Sequence, residues 1–160
     1  MAHYNIKKLE KKFNVKIITQ NIDDLHERAG STNVIHLHGE LFKARSTFDA
    51  NNIMEWKKDI VLGDVCKKGF QIRPHIVWFG EVPFEMGKIN EVVSNCEVFI
   101  SIGTSGHVYP AAGLIEIAKS NSAHCIGVNL ESPLNARYFD EFFQGKAGEI
   151  LPLLVQKWIS

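Results

Sequence analysis

A chain of 160 residues, 45% apolar and 10% aromatic, is long enough for one packed domain and too apolar to stay disordered. Eighteen basic and eighteen acidic residues cancel, and no basic cluster marks a nucleic-acid face, so no nucleic acid is expected as a partner. Three cysteines (Cys66, Cys96, Cys125) without a C-x-x-C pair exclude a disulfide framework and a four-thiolate metal site, and no apolar run approaches the ~20 residues of a membrane span.

Residues 2–13 set Ile6, Leu9 and Phe13 at helical spacing among lysines, which predicts an amphipathic helix rather than a signal peptide. The chain is therefore expected to be soluble and cytoplasmic. Residues 15–18 are a β-branched run and read as a buried strand. Asp23 and Asp24 then stand at the start of a short helix that Gly30 ends. Residues 34–37 form the next extended piece. Residues 45–71 are irregular and read as an insert on the main sheet, with a helix predicted over 49–59 because Ile53, Trp56 and Ile60 share a helical face. Residues 73–81 are extended, 86–96 helical and 97–102 a strand. Pro110 opens a helix to 119, residues 123–130 form a strand, and helices are predicted over 138–144 and 150–159, with Pro152 in the first turn of the last. This alternation predicts an α/β fold: a parallel, Rossmann-like sheet with flanking helices.

Three polar segments follow predicted strands: Gln20, Asn21, Ile22 and Asp23; Gly103, Thr104 and Ser105; and Asn129, Leu130 and Glu131. In a parallel sheet the strand carboxyl ends share one edge, so these segments are expected to converge there. Gly103 lets a ligand approach the backbone, Ser105 offers a hydroxyl, and the amides and carboxylates can bond sugar hydroxyls or a carboxamide. That is an inventory for a nucleotide. Each segment taken singly is an ordinary turn or cap, and a G-x-G-x-x-G fingerprint is missing. His36 and His38, two apart, read as a pair of structural histidines, as two metal ligands lacking an evident third, or as a general base. His38, beside Gly39, is the stronger candidate base. The run Val77, Trp78, Phe79, Gly80 is either a buried strand or an edge on which an extended peptide can pair.

These residues resemble the sirtuins, NAD-dependent protein-lysine deacylases, and bacterial members most. The resemblance rests on T-Q-N-I-D-D-L-H-E-R-A-G (19–30), H-L-H-G-E-L (36–41), R-P-H-I-V-W-F-G-E (73–81), I-G-T-S-G-H-V-Y-P-A-A-G (102–113), V-N-L-E (128–131) and G-K-A-G-E-I-L-P (145–152). It implies that His38 is the catalytic base and that Gln20, Asn21, Ile22 and Asp23 serve the nicotinamide ribose and carboxamide. It further implies that Gly103, Thr104, Ser105, Asn129, Leu130, Glu131 and Ala147 contact the rest of NAD. Val77, Trp78, Phe79 and Gly80 match the segment that pairs with an acyl-lysine peptide. The implied reaction transfers the acyl group to the ribose, releasing nicotinamide, free lysine and O-acyl-ADP-ribose.

Two departures shape the expectations. Where the family carries two cysteine pairs in a zinc lobe, this chain has Lys43, Ala44, Arg45, Ser46 and a lone Cys66, so no zinc is expected and packing by Phe48, Trp56 and Phe70 is expected to hold a lobe of about 43–72. The family's first strand and Gly-Ala-Gly phosphate loop do not precede Met1. The chain is thus read as one truncated NAD-binding catalytic domain over 1–160, with weak NAD binding and impaired turnover by itself. The open sheet edge offers a surface for self-association. The alternative reading is a non-catalytic module that binds peptide, nucleotide or a protein partner.

Overall fold

The computed structural model describes residues 1–160. The chain opens with helix α1 (Ala2–Leu9), then strand β1 (Ile17–Thr19), short helix α2 (Leu25–Arg28) and strand β2 (Val34–His36). Strands β3 (Gly39–Ser46), β4 (Ile53–Glu55) and β5 (Ile72–Ile76) follow, then α3 (Met86–Ser94) and β6 (Val98–Ile102). A 3-10 turn at Ala111–Gly113 leads into α4 (Leu114–Ser120), and β7 (His124–Asn129), β8 (Glu141–Gln144) and α5 (Ala147–Ile159) complete the chain.

The parallel strands fall into two pieces, β1-β2 and β6-β7-β8, and an antiparallel sheet β4-β3-β5 lies between them in sequence. The expected single parallel sheet is therefore divided: β1 pairs only with β2, and β6 only with β7. Both pieces pack on one core. Ile35 of β2 and Leu37, just past it, are buried with Ile89 and Val93 of α3, Leu114, Ile115 and Ala118 of α4, and Cys125 of β7. A second cluster joins Val128 to Leu151 and Leu154 of α5, with Ile6 of α1 against it. The Lys12 ammonium, just beyond α1, reaches the Trp158 carbonyl at 3.1 Å. No helix is long and apolar enough to cross a membrane.

Three predicted helices change. Residues 49–59 form no helix: Asp49 accepts a bond from the Asn51 N–H at 3.1 Å to make a turn, and β4 then pairs antiparallel with Lys43–Arg45 of β3. Trp56 and Ile60 still pack on Ala44, Cys66 and Ile72, which is why a helical face fitted them. Residues 141–144 of the helix predicted over 138–144 instead extend along β7 as a parallel strand. Short apolar runs do not reveal their period, and pairing with a neighbour decides. Helix α5 starts at Ala147, three residues earlier than predicted, so Pro152 lies in its interior and the Gly148 carbonyl loses its helical donor.

In the antiparallel lobe the packing differs from expectation. Trp56 is half-buried on the Ala44–Cys66–Ile72 cluster, but Phe48 and Phe70 stack on each other at 4.2 Å on an exposed face. Cys66 is buried with its thiol 3.5 Å from the Ser46 hydroxyl, and that hydrogen bond pulls its pKa down. No group of three His, Cys, Asp or Glu side chains is arranged to hold a metal ion. A lone thiol beside a hydroxyl is not a zinc donor set, so these residues do not fit the family's metal.

Candidate active site

Leu37 explains how two histidines come to be displayed side by side. Its side chain is fully buried, its N–H bonds the Thr19 carbonyl at 3.0 Å, and its own carbonyl receives the Phe84 N–H at 3.0 Å. Burying one leucine is worth ~1.5–3 kcal/mol, enough to fix which way its neighbours face. The chain leaves strand geometry after His36, and the two imidazoles take different partners.

His36 Nε2 meets the Glu27 carboxylate of α2 at 2.8 Å and so donates to it. Its Nδ1 is buried without a partner. His38 Nδ1 lies 3.0 Å from the Gln20 carbonyl. A carbonyl can only accept, so Nδ1 carries the proton and the neutral ring keeps its lone pair on Nε2. The two rings thus take different partners, and they belong to no group of three side chains that could hold a metal ion.

The segment holding Gln20 is shaped locally. The Asn21 N–H bonds the Thr19 hydroxyl at 3.1 Å, and the Asp23 carboxylate accepts the Leu25 N–H at 3.0 Å. Asp23, rather than Asp24, is thus the side chain that supports the start of α2. Asn21 is exposed, and Ile22 is half-buried and lends its carbonyl to the Leu41 N–H at 2.7 Å.

A second cluster stands at the ends of β6, β7 and β8. Gly103, at φ 66°, turns the chain after β6, and a Cβ placed there would meet nothing within 4 Å, so the turn is open above. The Asn129 side-chain amide donates to the Thr104 carbonyl at 2.9 Å, and its backbone carbonyl receives the Gly145 N–H at 2.9 Å. Asn129 thereby joins Gly103, Thr104 and Ser105 to the approach of Ala147, the first residue of α5. Ser105, Leu130 and Glu131 are exposed around this edge. The three expected segments converge only in part: these two share an edge, while Gln20, Asn21, Ile22 and Asp23 belong to the β1-β2 piece, and no hydrogen bond links the two groups.

Val77 closes the site on a third side, its N–H bonding the His38 carbonyl at 3.0 Å. Trp78 is 55% exposed and Phe79 is fully exposed, which removes the reading of this run as a buried strand. Sequence reasoning passed over the side chains that hold it. Glu81 accepts from Arg73 at 2.6 Å, from Arg45 at 3.3 Å and from the Trp78 N–H at 3.1 Å. The Arg73 bond, then the Trp78 N–H, hold the Glu81 carboxyl below the usual carboxylate range. His75 stacks on Phe84 at 4.5 Å, and burial, helped by the Arg45 charge, pushes its pKa down. The R…E pattern at 73 and 81 was visible in the sequence, but nothing local marks Arg45 as its partner.

The Sir2 family model matches residues 1–110. A protein of Pasteurella multocida named NAD-dependent protein deacylase is 51% identical over 94% of this chain, which spans 66% of that relative's length. A Sir2 homologue solved as an NAD complex superposes with a TM-score of 0.89 at 40% identity, covering 99% of this chain and 65% of that one. A Sir2 solved with a p53 peptide and NAD+ gives a TM-score of 0.84 at 30% identity. With a family model matched over residues 1–110 and relatives this similar in sequence and in structure, the chain belongs to the Sir2 family.

Proposed function

We propose that this chain carries the catalytic centre of an NAD-dependent protein-lysine deacylase with His38 as its base. The observation that carries the reading is the bond from His38 Nδ1 to the Gln20 carbonyl, which leaves Nε2 free to accept a proton. Gln20, Asn21, Ile22 and Asp23 hold the nicotinamide and its ribose. Gly103, Thr104, Ser105, Asn129, Leu130, Glu131 and Ala147 hold the remainder of the dinucleotide, and the open space over Gly103 suits a backbone that a ligand approaches closely. Bound NAD would supply the ribose hydroxyl that receives the acyl group. The run of Val77, Trp78, Phe79 and Gly80, exposed from Trp78 onward, takes the acyl-lysine peptide, as fits a family in which one solved member holds a p53 peptide.

The test is nicotinamide release from NAD with an acetyl-lysine peptide, under single-turnover conditions with the chain in excess, for the parent and His38→Ala. Release that needs the acetylated peptide and falls ~10²–10⁴-fold in the variant is expected. Equal release by both proteins overturns His38 as base. A second reading, a non-catalytic binding module, is favoured by the unpaired edges of β1 and β6, where free backbone groups invite association. Saturable peptide or NAD binding with no release by the parent chain would select it.

A further inference from the structure

We infer that Glu81 is a positioning residue for the acyl-lysine peptide: its carboxylate clamps the 77–81 turn to two arginines of the antiparallel lobe and so sets the shape a peptide meets. This rests on reading that turn as the peptide site. Arg45 of β3 and Arg73 of β5 are directly paired across the sheet. Two like charges facing each other in this way repel, and a carboxylate shared between them removes the conflict. Glu81 supplies it, one oxygen to each guanidinium, at 2.6 Å from Arg73 and 3.3 Å from Arg45.

The Arg45 side chain is only 10% exposed and is itself held, its guanidinium 5.0 Å over the Phe84 ring and 3.5 Å from the Ile76 carbonyl. The clamp therefore has a fixed base. From it, the Glu81 oxygen that faces Arg45 also accepts the Trp78 N–H at 3.1 Å, and the Glu81 N–H closes the turn on the Trp78 carbonyl at 2.9 Å. With the Val77 N–H committed to the His38 carbonyl, the first two donors of the run are taken, which leaves those of Phe79 and Gly80 for a peptide. The exposed Trp78 and Phe79 follow directly on Val77, whose N–H bonds the carbonyl of the candidate base. Glu81 thus acts through the turn and never touches the reacting atoms.

The experiment compares the full chain with Glu81→Ala and Glu81→Gln, by residue-resolved amide exchange and by anisotropy of a labelled acetyl-lysine peptide. In the parent, the Trp78 amide exchanges more slowly than that of Phe79. Glu81→Ala is expected to abolish that protection and weaken the peptide about tenfold, the scale of losing a charge-assisted bond. Glu81→Gln, whose amide oxygen still accepts the Trp78 N–H, is expected to recover most of the protection and part of the affinity. It also serves if the alanine variant does not fold. Unchanged Trp78 protection without the carboxylate overturns the clamp. Lost protection with unchanged peptide affinity overturns its role in binding. If the parent binds no acetylated peptide, the reading of the turn as a peptide site fails, and with it the role of Glu81, while the exchange data still show whether the clamp holds the turn.

Discussion

Gly39, the residue after His38, is where one methyl group should do most harm. It sits at φ +87°, and a Cβ there would lie 2.0 Å from the His75 carbonyl oxygen, 2.9 Å from its carbon and 3.0 Å from the Ile76 Cα. All three are backbone atoms that cannot rotate away, so relief requires β5 to move off β3, breaking the Gly39–Ile76 pairing and the bond from Val77 to the His38 carbonyl. The left-handed conformation costs an L-residue ~1–2 kcal/mol. Forcing apart a packed contact adds ~1–3 kcal/mol. Gly39→Ala should therefore lose about 2–5 kcal/mol, a large share of the ~5–15 kcal/mol that a domain has. Gly63 is the control: at φ +96° it has nothing within 4 Å of an added Cβ, so Gly63→Ala bears only the conformational part. The unfolded chain loses similar freedom in both variants, and that effect cancels in the comparison. In urea unfolding followed by tryptophan fluorescence, with a slope near ~2 kcal/mol per M, the midpoint should fall by ~1–2.5 M for Gly39→Ala and ~0.5–1 M for Gly63→Ala. Equal shifts would refute the steric argument and with it the tight seating of His38 against β5.

Ile89 is fully buried in the core shared by both parallel pieces, so Ile89→Ala should cost about 2–5 kcal/mol in the same urea assay, and a loss under ~1 kcal/mol would mean that the core closes over the cavity. Stability should also fall on mild acidification. Burial lowers the pKa values of His26 and His75, so the unfolded chain takes up protons first, at about 6.5, and the folded chain only at lower pH. More protons on the unfolded state mean that stability is flat above about pH 7 and declines below 6.5, by at most about 1.4 kcal/mol per pH unit for each histidine. His75→Phe, which keeps the stack on Phe84, should flatten that decline in urea midpoints taken from pH 8 to 5. An unchanged slope would show that His75 does not titrate this way. The depressed carboxylates Glu81 and Asp140 act in a lower window, stabilising above the ordinary carboxylate pKa and releasing that support as pH falls through their folded values.

What could be read from the sequence was local. The strand expected over 97–102 before Gly103 and the helix expected over 86–96 each declare themselves within a few residues, and the structure holds them as Val98–Ile102 and Met86–Ser94. Asn129, which ties two strand ends together, stood at the end of a legible strand. The failures share the opposite cause. Ile53–Glu55 and Glu141–Gln144 become strands because β3 and β7 offer them an edge, a fact held tens of residues away. Arg45 was invisible for the same reason: in sequence it is one basic residue in an irregular insert, and only its pairing opposite Arg73 makes it half of a clamp. Phe48 and Phe70 misled because an aromatic residue in a small lobe suggests core, yet a stacked pair can satisfy itself on the surface.

The two pieces of parallel sheet meet only through side-chain packing in one core. The candidate base follows Leu37, just past β2, while the edge proposed for the dinucleotide hangs from β6, β7 and β8. No hydrogen bond connects the two, so the distance between His38 and Gly103 is set by the side chains between them: Ile89 and Val93 of α3 and Leu114, Ile115 and Ala118 of α4. Side-chain packing is close but non-directional, and it fixes such a distance less firmly than a ladder of hydrogen bonds does. A change in this core therefore shifts two halves of one site against each other before it unfolds either. Glu81, Asn129 and the Gln20 carbonyl fix contacts within each half, so the placement of one half against the other rests on this packed core.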